Sequence, residues 1–237
     1  MSASTSSVSA ACWNCGAANS GGHFCSKCGK IQPLSREADY FAFFGLPRKL
    51  VIDSADLERR FHALSWRLHP DNFVRAAEAE RELSLERSSQ LNDAYRTLAD
   101  PIARVEYLLA HEGMRKEGQT KQQAPPELLE EVFELNESLD ELRSARQAGG
   151  DTAEMARLAK TLEAAEKNFE NKLSAVDAEL QALCAQWDAG LDDGAEATAR
   201  RKMMERMNAA LNRRSYIRNL VAGVQTELAS WPVARAP

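Results

Sequence analysis

From Glu127 to Trp231 the chain is interrupted only twice, at Ala148-Gly149-Gly150-Asp151 and at Ala189-Gly190-Leu191-Asp192-Asp193-Gly194. No other feature constrains the fold as much. Glycine ends a helix and aspartate caps the next, so the pattern predicts helices over Glu127–Ala148, Asp151–Ala189 and Asp193–Trp231. Connections this short make neighbouring helices antiparallel, which gives a three-helix bundle. At 100° per residue, Leu128, Val132, Leu135, Leu139 and Leu142 fall in one stripe about 80° wide, the core side of the first helix. In the last helix Met203, Met207, Ala210, Ile217, Val221, Val224 and Leu228 share a face, and Tyr216 points away from it among Arg213, Arg214 and Arg218. Cys184, beside Leu180, Leu183 and Trp187, reads as a small buried hydrophobe.

The preceding segment is helical as well. Asp53 or Ser54 can cap a helix whose apolar positions Leu57, Phe61, Leu64, Trp66 and Leu68 run to His69, where Pro70 stops it. A second helix is predicted over about Ala76 to Leu98, with Leu83, Leu91, Ala94, Tyr95 and Leu98 as core. Asp100-Pro101 breaks it, and Ile102 to Ala110 resumes. Residues 113–126 are polar, aperiodic and end in two prolines, the signature of a linker. No alternating run suited to a strand follows residue 35, and no stretch reaches the roughly 18 apolar residues of a membrane helix. The expected fold is all-α beyond a small N-terminal module. Residues 1–38 carry paired cysteines, 39–112 form a helical domain, and 127–237 form the bundle.

Four of the five cysteines lie in two Cys-x-x-Cys-Gly turns, Cys12/Cys15 and Cys25/Cys28. Each turn aims two sulfurs at one point, and two turns complete a tetrahedron suited to one structural zinc ion. Iron fits the same sulfur cage chemically. A thioredoxin-type redox pair needs a strand–helix–strand setting that is missing here. Four sulfurs suffice for the ion, so His23 reads as a surface histidine. The first residues lack the apolar core of a secretory signal. They are Ser-rich and free of acids, as in a transit peptide, but contain no Arg, which leaves targeting open.

The net charge of −5 argues against a nucleic-acid binder that relies on phosphate attraction. The acidic excess lies in the C-terminal half, and Glu127–Leu142 holds seven acids and no basic residue. Within that helix Leu129 and Phe133 lie roughly 100–140° from the centre of the core stripe, beside Glu130, Glu137 and Asp140. An apolar pair on an acidic face suggests a partner surface, or one covered by a second helix. No nucleophile–base pair, paired-carboxylate site or phosphate-binding glycine loop is visible, so the chain does not read as an enzyme.

His69-Pro70-Asp71 opens the loop between a helix bearing Arg59, Arg60 and Arg67 and a helix ending in LNDAYRTLADP (91–101). With DYFAFFGLP (39–47), these segments resemble a J domain over about Asp39 to Leu109. The resemblance implies that His69, Pro70 and Asp71 contact a DnaK-type heat-shock chaperone and stimulate its ATPase, with Arg59, Arg60 and Arg67 as electrostatic contacts. Asp71 can accept a charge-assisted bond from a partner arginine, and Pro70 stiffens the loop.

CWNCG…FCSKCG, the J domain and VFELNESLDEL (132–142) together resemble, end to end, the HscB-type co-chaperones of iron–sulfur cluster biogenesis in their eukaryotic, zinc-bearing form. This resemblance implies that the bundle binds an IscU-type scaffold through Leu129, Phe133, Glu134, Glu137 and Tyr216. It implies that the chain delivers the loaded scaffold to the chaperone in the mitochondrial matrix, with a cytosolic pool as a further location. The competing reading is a general J protein that recruits unfolded clients. A zinc-ribbon nucleic-acid binder fits the charge and the scarcity of aromatic–basic clusters poorly.

Overall fold

Aspartate caps three of the helix starts in the structure, a computed structural model that describes residues 11–18, 22–33, 39–115, 125–149 and 152–230. The Ser-rich start, most of the linker, the Gly150-Asp151 break and the last seven residues lie outside these. Asp39 caps α1 (Tyr40–Phe43) through the amide of Ala42. Asp53 caps α2 (Ser54–Leu68) by accepting from Ala55 and Asp56. α3 spans Glu78–Ala99. Asp100 then caps α4 (Pro101–His111) by accepting from Ile102 and Ala103. That helix starts at Pro101, one residue before the expected Ile102, because proline's missing N–H costs nothing at the first helical position. α5 (Leu129–Gln147), α6 (Thr152–Asp192) and α7 (Ala197–Ala229) follow.

The chain divides into two compact units, residues 1–107 and 108–237. The core of the first gathers Phe41 and Phe43 of α1, Leu57 and Leu68 of α2, and Leu91, Ala94 and Leu98 of α3. Trp66, one of the apolar positions noted along α2, is 79% exposed. It is two residues from both Leu64 and Leu68, which places it about 200° around the helix from each. The backbone of Tyr40 donates to the Tyr107 hydroxyl, and the two rings stack at 4.4 Å. Buried Arg104 binds the carbonyls of Leu98 and Leu50 and fixes the loop before α2.

In the second unit the predicted stripe of α5 is the buried one: Leu128, Val132, Leu135, Leu139 and Leu142. Leu128 reaches it from a 3-10 turn, Pro126–Leu128, because proline sits in the first turn of this segment and α5 proper begins one residue later. α6, with 41 residues, is about 60 Å long and supplies Leu158, Leu162, Phe169, Val176, Leu180 and Leu183. On α7 the core residue is Met204, not Met203. Met204, Met207 and Leu211 are spaced by three and four, the helical repeat.

The short connections set the directions of these helices, and the ion pairs between them show the result. Arg213 and Arg143 join α7 and the α5 segment at Glu127–Arg213 (3.3 Å) and Arg143–Glu227 (2.5 Å), so the two run parallel. Glu131 meets Lys172 of α6 at 2.9 Å and Arg214 meets Asp177 at 2.5 Å, which makes α6 antiparallel to both. This is the expected up–down–up bundle. Among the described residues no helix is long and apolar enough to cross a membrane.

Candidate functional site

Pro70 ends α2 and holds His69 extended at φ −58°, ψ 130°. The last carbonyls of α2 therefore lose their helical donors. α3 replaces one of them twice, since Ser84 and Ser88 both donate to the Leu68 carbonyl, at 2.7 and 3.0 Å. Asn72 donates its side-chain amide to the Trp66 carbonyl at 2.6 Å. Pro70–Phe73 form a single 3-10 turn, and His69 Nδ1 accepts from the Asp71 amide at 3.3 Å. The backbone of the tripeptide is thus clamped while its side chains stay open, His69 at 55% and Asp71 at 84% exposure. A rigid turn whose exposed His69 and Asp71 side chains lie 3.5 Å apart at Nδ1 and Oδ2 suits docking on another protein better than chemistry.

The three arginines differ in what already holds them. Asp56 binds Arg59 at 3.0 Å and Arg60 at 2.7 Å, and its carboxyl lies below the usual range chiefly through the Arg60 hydrogen bond. Arg60 also donates to the Phe44 carbonyl at 3.0 Å. That carbonyl leads into Gly45, whose φ of +63° turns the chain away from α1 in the left-handed region that glycine tolerates. Arg67 stacks on the Phe24 ring at 4.4 Å. Arg59 bonds only within α2, to Asp56, while Arg60 and Arg67 also hold residues outside the helix.

Cys12–Gly16 and Cys25–Gly29 repeat one turn. The glycine amide donates to the first cysteine's carbonyl at 2.9 Å in each, and Gly16 and Gly29 take φ of 68° and 73°. All four sulfurs lie within 4.8 Å of one another. Cys12–Cys28 and Cys15–Cys25 are separated by 3.7 and 3.8 Å, and a tetrahedral ion with bonds of about 2.3 Å sets sulfur–sulfur edges of about 3.8 Å. The residues fit a metal. At Cys12 burial opposes ionisation, but the amides of Cys15 and Asn14 and the neighbouring thiols outweigh it and bring the thiol down to about 6. At Cys15 the Ala17 amide pulls downward, while burial and the other thiols push it up to about 11. Cys28 is lowered, first by the Lys30 amide. The cluster thus favours a first thiolate near neutral pH and resists the last, an imbalance that a cation removes. Elemental analysis of the reduced protein is expected to find one metal ion per chain; neither zinc nor iron would reject the metal centre.

His23 is not the surface residue expected from the sequence. Its ring bridges the Phe43 carbonyl, 2.8 Å from Nε2, and Arg87 Nη2, 2.5 Å from Nδ1. A carbonyl only accepts and a guanidinium only donates, so Nε2 carries the proton and the ring is neutral. Burial first, then the Arg87 charge, lowers it to about 4. Arg87, 1% exposed, lies over the Phe43 ring at 4.9 Å and has no hydrogen-bond partner at Nε or Nη1. Burial lowers it to about 10, so it remains charged at neutral pH. His23, Phe24, Ile31 and Arg87 were invisible as a group in the sequence. The only signal was that Phe24 and Ile31 are the large apolar residues flanking the second cysteine turn.

On α5, Leu129 and Phe133 are 54% and 70% exposed while the stripe beside them is buried. No second helix covers them within the described residues. Glu134 and Glu137 are exposed and form no ion pair among the described residues. Tyr216 is half-buried on α7. The Glu127–Arg213 pair places it at the same end of the bundle as Leu129, since the helices run parallel from that point. Arg213 and Arg214, expected around Tyr216, are spent on Glu127, Glu179 and Asp177.

No family model matches the chain. It is 33% identical over 172 residues to the mouse iron–sulfur cluster co-chaperone protein HscB, covering 71% of this chain and 70% of that one. It is 36% identical over 154 residues to a Vibrio vulnificus co-chaperone protein HscB homolog, covering 65% and 85%. Among solved structures, human co-chaperone protein HscB superposes with a TM-score of 0.61 at 26% identity, over 92% of this chain and 98% of that one. HscB from Vibrio cholerae gives 0.50 at 27% identity, over 80% and 96%.

Proposed function

The chain belongs to the HscB family of iron–sulfur cluster co-chaperones, and on that premise we propose that it carries a cluster-assembly scaffold to a DnaK-type chaperone and triggers that chaperone's ATPase. One observation carries this reading. Two unlike surfaces are exposed on separate compact units, a clamped His69-Pro70-Asp71 turn and an acidic helix with Leu129 and Phe133 bare.

The first surface is small, polar and rigid, so it suits recognition of a charged partner; Asp71 offers its carboxylate to a partner arginine, and Arg59 adds the opposite charge farther back along α2. The second pairs apolar anchors with an acidic rim of Glu134 and Glu137, which suits a partner with an apolar patch set among basic residues. Tyr216 belongs to this second surface. Neither surface requires chemistry of the chain itself. The ion at the four cysteines is zinc in this reading, because all four positions are protein thiolates and a closed sulfur tetrahedron is a structural site. The mouse match supports a mitochondrial matrix location, with cell fractionation as its test.

Single-turnover ATP hydrolysis by a DnaK-type chaperone tests the function. The chain alone is expected to accelerate hydrolysis, and chain plus IscU-type scaffold to accelerate it further. If an unfolded client protein replaces the scaffold with equal effect, the specific scaffold surface is refuted.

A further inference from the structure

The second cysteine turn is part of the J-domain core. Ile31, three residues beyond Cys28, has 0% exposure and packs with Phe41, Phe43, Leu57, Leu68 and Leu91. Its surroundings fasten it to all three helices. Lys30 pairs at 2.6 Å with Glu80 of α3, itself buried. His23 links the end of α1 to Arg87 of α3, and Phe24 lies beneath Arg67 of α2. Leu68 and Arg67 thus both rest on residues 23–32, directly ahead of His69-Pro70-Asp71.

The module itself has little to hold it together. Its described regular structure is two isolated bridges, Ala11–Ala18 and Phe24–Ile31, one for each turn. The first turn is joined to the second by the Trp13 Nε1 bond to the Ile31 carbonyl, at 2.6 Å, and by the sulfurs. A segment with so small an apolar interior depends on its metal for order. An ion held by two sulfurs of each turn binds both turns into one body.

We propose that the four-cysteine module is a metal-locked wedge in the J domain. The bound ion keeps Ile31 and Phe24 seated against α1–α3 and so stiffens the end of α2 that presents the His69 turn; losing the ion loosens α2 and α3. This rests on the metal-centre and chaperone readings above, and it adds that metal occupancy governs how well the chaperone-facing hairpin is formed.

Hydrogen exchange read by mass spectrometry on the full chain tests it, with zinc bound, after chelation under reducing conditions, and after zinc is restored. Stripping is expected to lower protection of peptides from α2 and α3 at least about tenfold, to leave α6 unchanged, and to reverse on adding zinc. Unchanged α2 and α3 in a chain whose residues 11–33 exchange freely would overturn the wedge, as would a uniform loss that includes α6. Ile31→Ala keeps all four cysteines, so it should retain one ion per chain yet show the same loss in α2 and α3. Ile31→Val, a milder truncation, should give an intermediate loss and keeps the test usable if the alanine variant does not fold. Normal protection in both variants would also overturn the wedge. No chaperone is present in these measurements, so a native chain that fails to stimulate the ATPase refutes the chaperone reading while the exchange data still decide this one.

Discussion

His69→Gln is expected to abolish stimulation of the DnaK-type ATPase while leaving the fold intact. The ring is 55% exposed and its one described backbone contact is the weak 3.3 Å bond from the Asp71 amide. That bond caps a single 3-10 turn and is long, so its loss costs on the order of 0.5–1 kcal/mol, which the domain tolerates. The clamps on this turn, Ser84, Ser88 and Asn72, do not involve the imidazole and survive the change. Glutamine keeps polarity but loses the ring whose edge faces outward. Single-turnover hydrolysis is the readout, with thermal melting as the control. Stimulation that persists in a folded variant would place the trigger outside this turn.

Leu129→Ala combined with Phe133→Ala is expected to weaken scaffold binding at least about a hundredfold, since apolar anchors at an interface centre commonly lose 2 kcal/mol or more each. The fold should barely notice, because at 54% and 70% exposure neither side chain fills the core. A shift in melting temperature of no more than about 3 °C is expected. Calorimetry with purified scaffold decides between outcomes. Unchanged affinity would put the scaffold surface elsewhere, and a large drop in melting temperature would show that the two side chains support the bundle. Added salt should slow association of the native chain, because Glu134 and Glu137 steer a charged partner from solvent. The double variant should still stimulate the ATPase by itself, with only the scaffold's added effect lost.

Much of this was legible in residue order. The stripe Leu128–Val132–Leu135–Leu139–Leu142 and the position of Leu129 and Phe133 off it follow from the helical repeat, whereas their exposure was decided by the tertiary structure. The bundle's directions follow from its two short breaks. The convergence of four sulfurs on one point follows from the spacing of the cysteines. Trp66 was legible too: its angle on α2 separates it from Leu64 and Leu68, and only its apolar side chain suggests the core. Met203 and Met204 differ by one position, where a stripe drawn over a long helix is least well defined.

The sequence by itself therefore determined what depends on neighbours a few residues apart: helix faces, stops at proline, caps at aspartate, and two cysteine turns shaped for one ion. The tertiary structure alone decided what depends on distant partners. Ile31 in the core of the first unit, His23 against Arg87 sixty-four positions away, and Arg67 over Phe24 leave no periodic trace, because a knuckle of irregular backbone has no repeat to project onto a face. Their placement depends on the packed shape of α1–α3, which exists only once those helices have folded together.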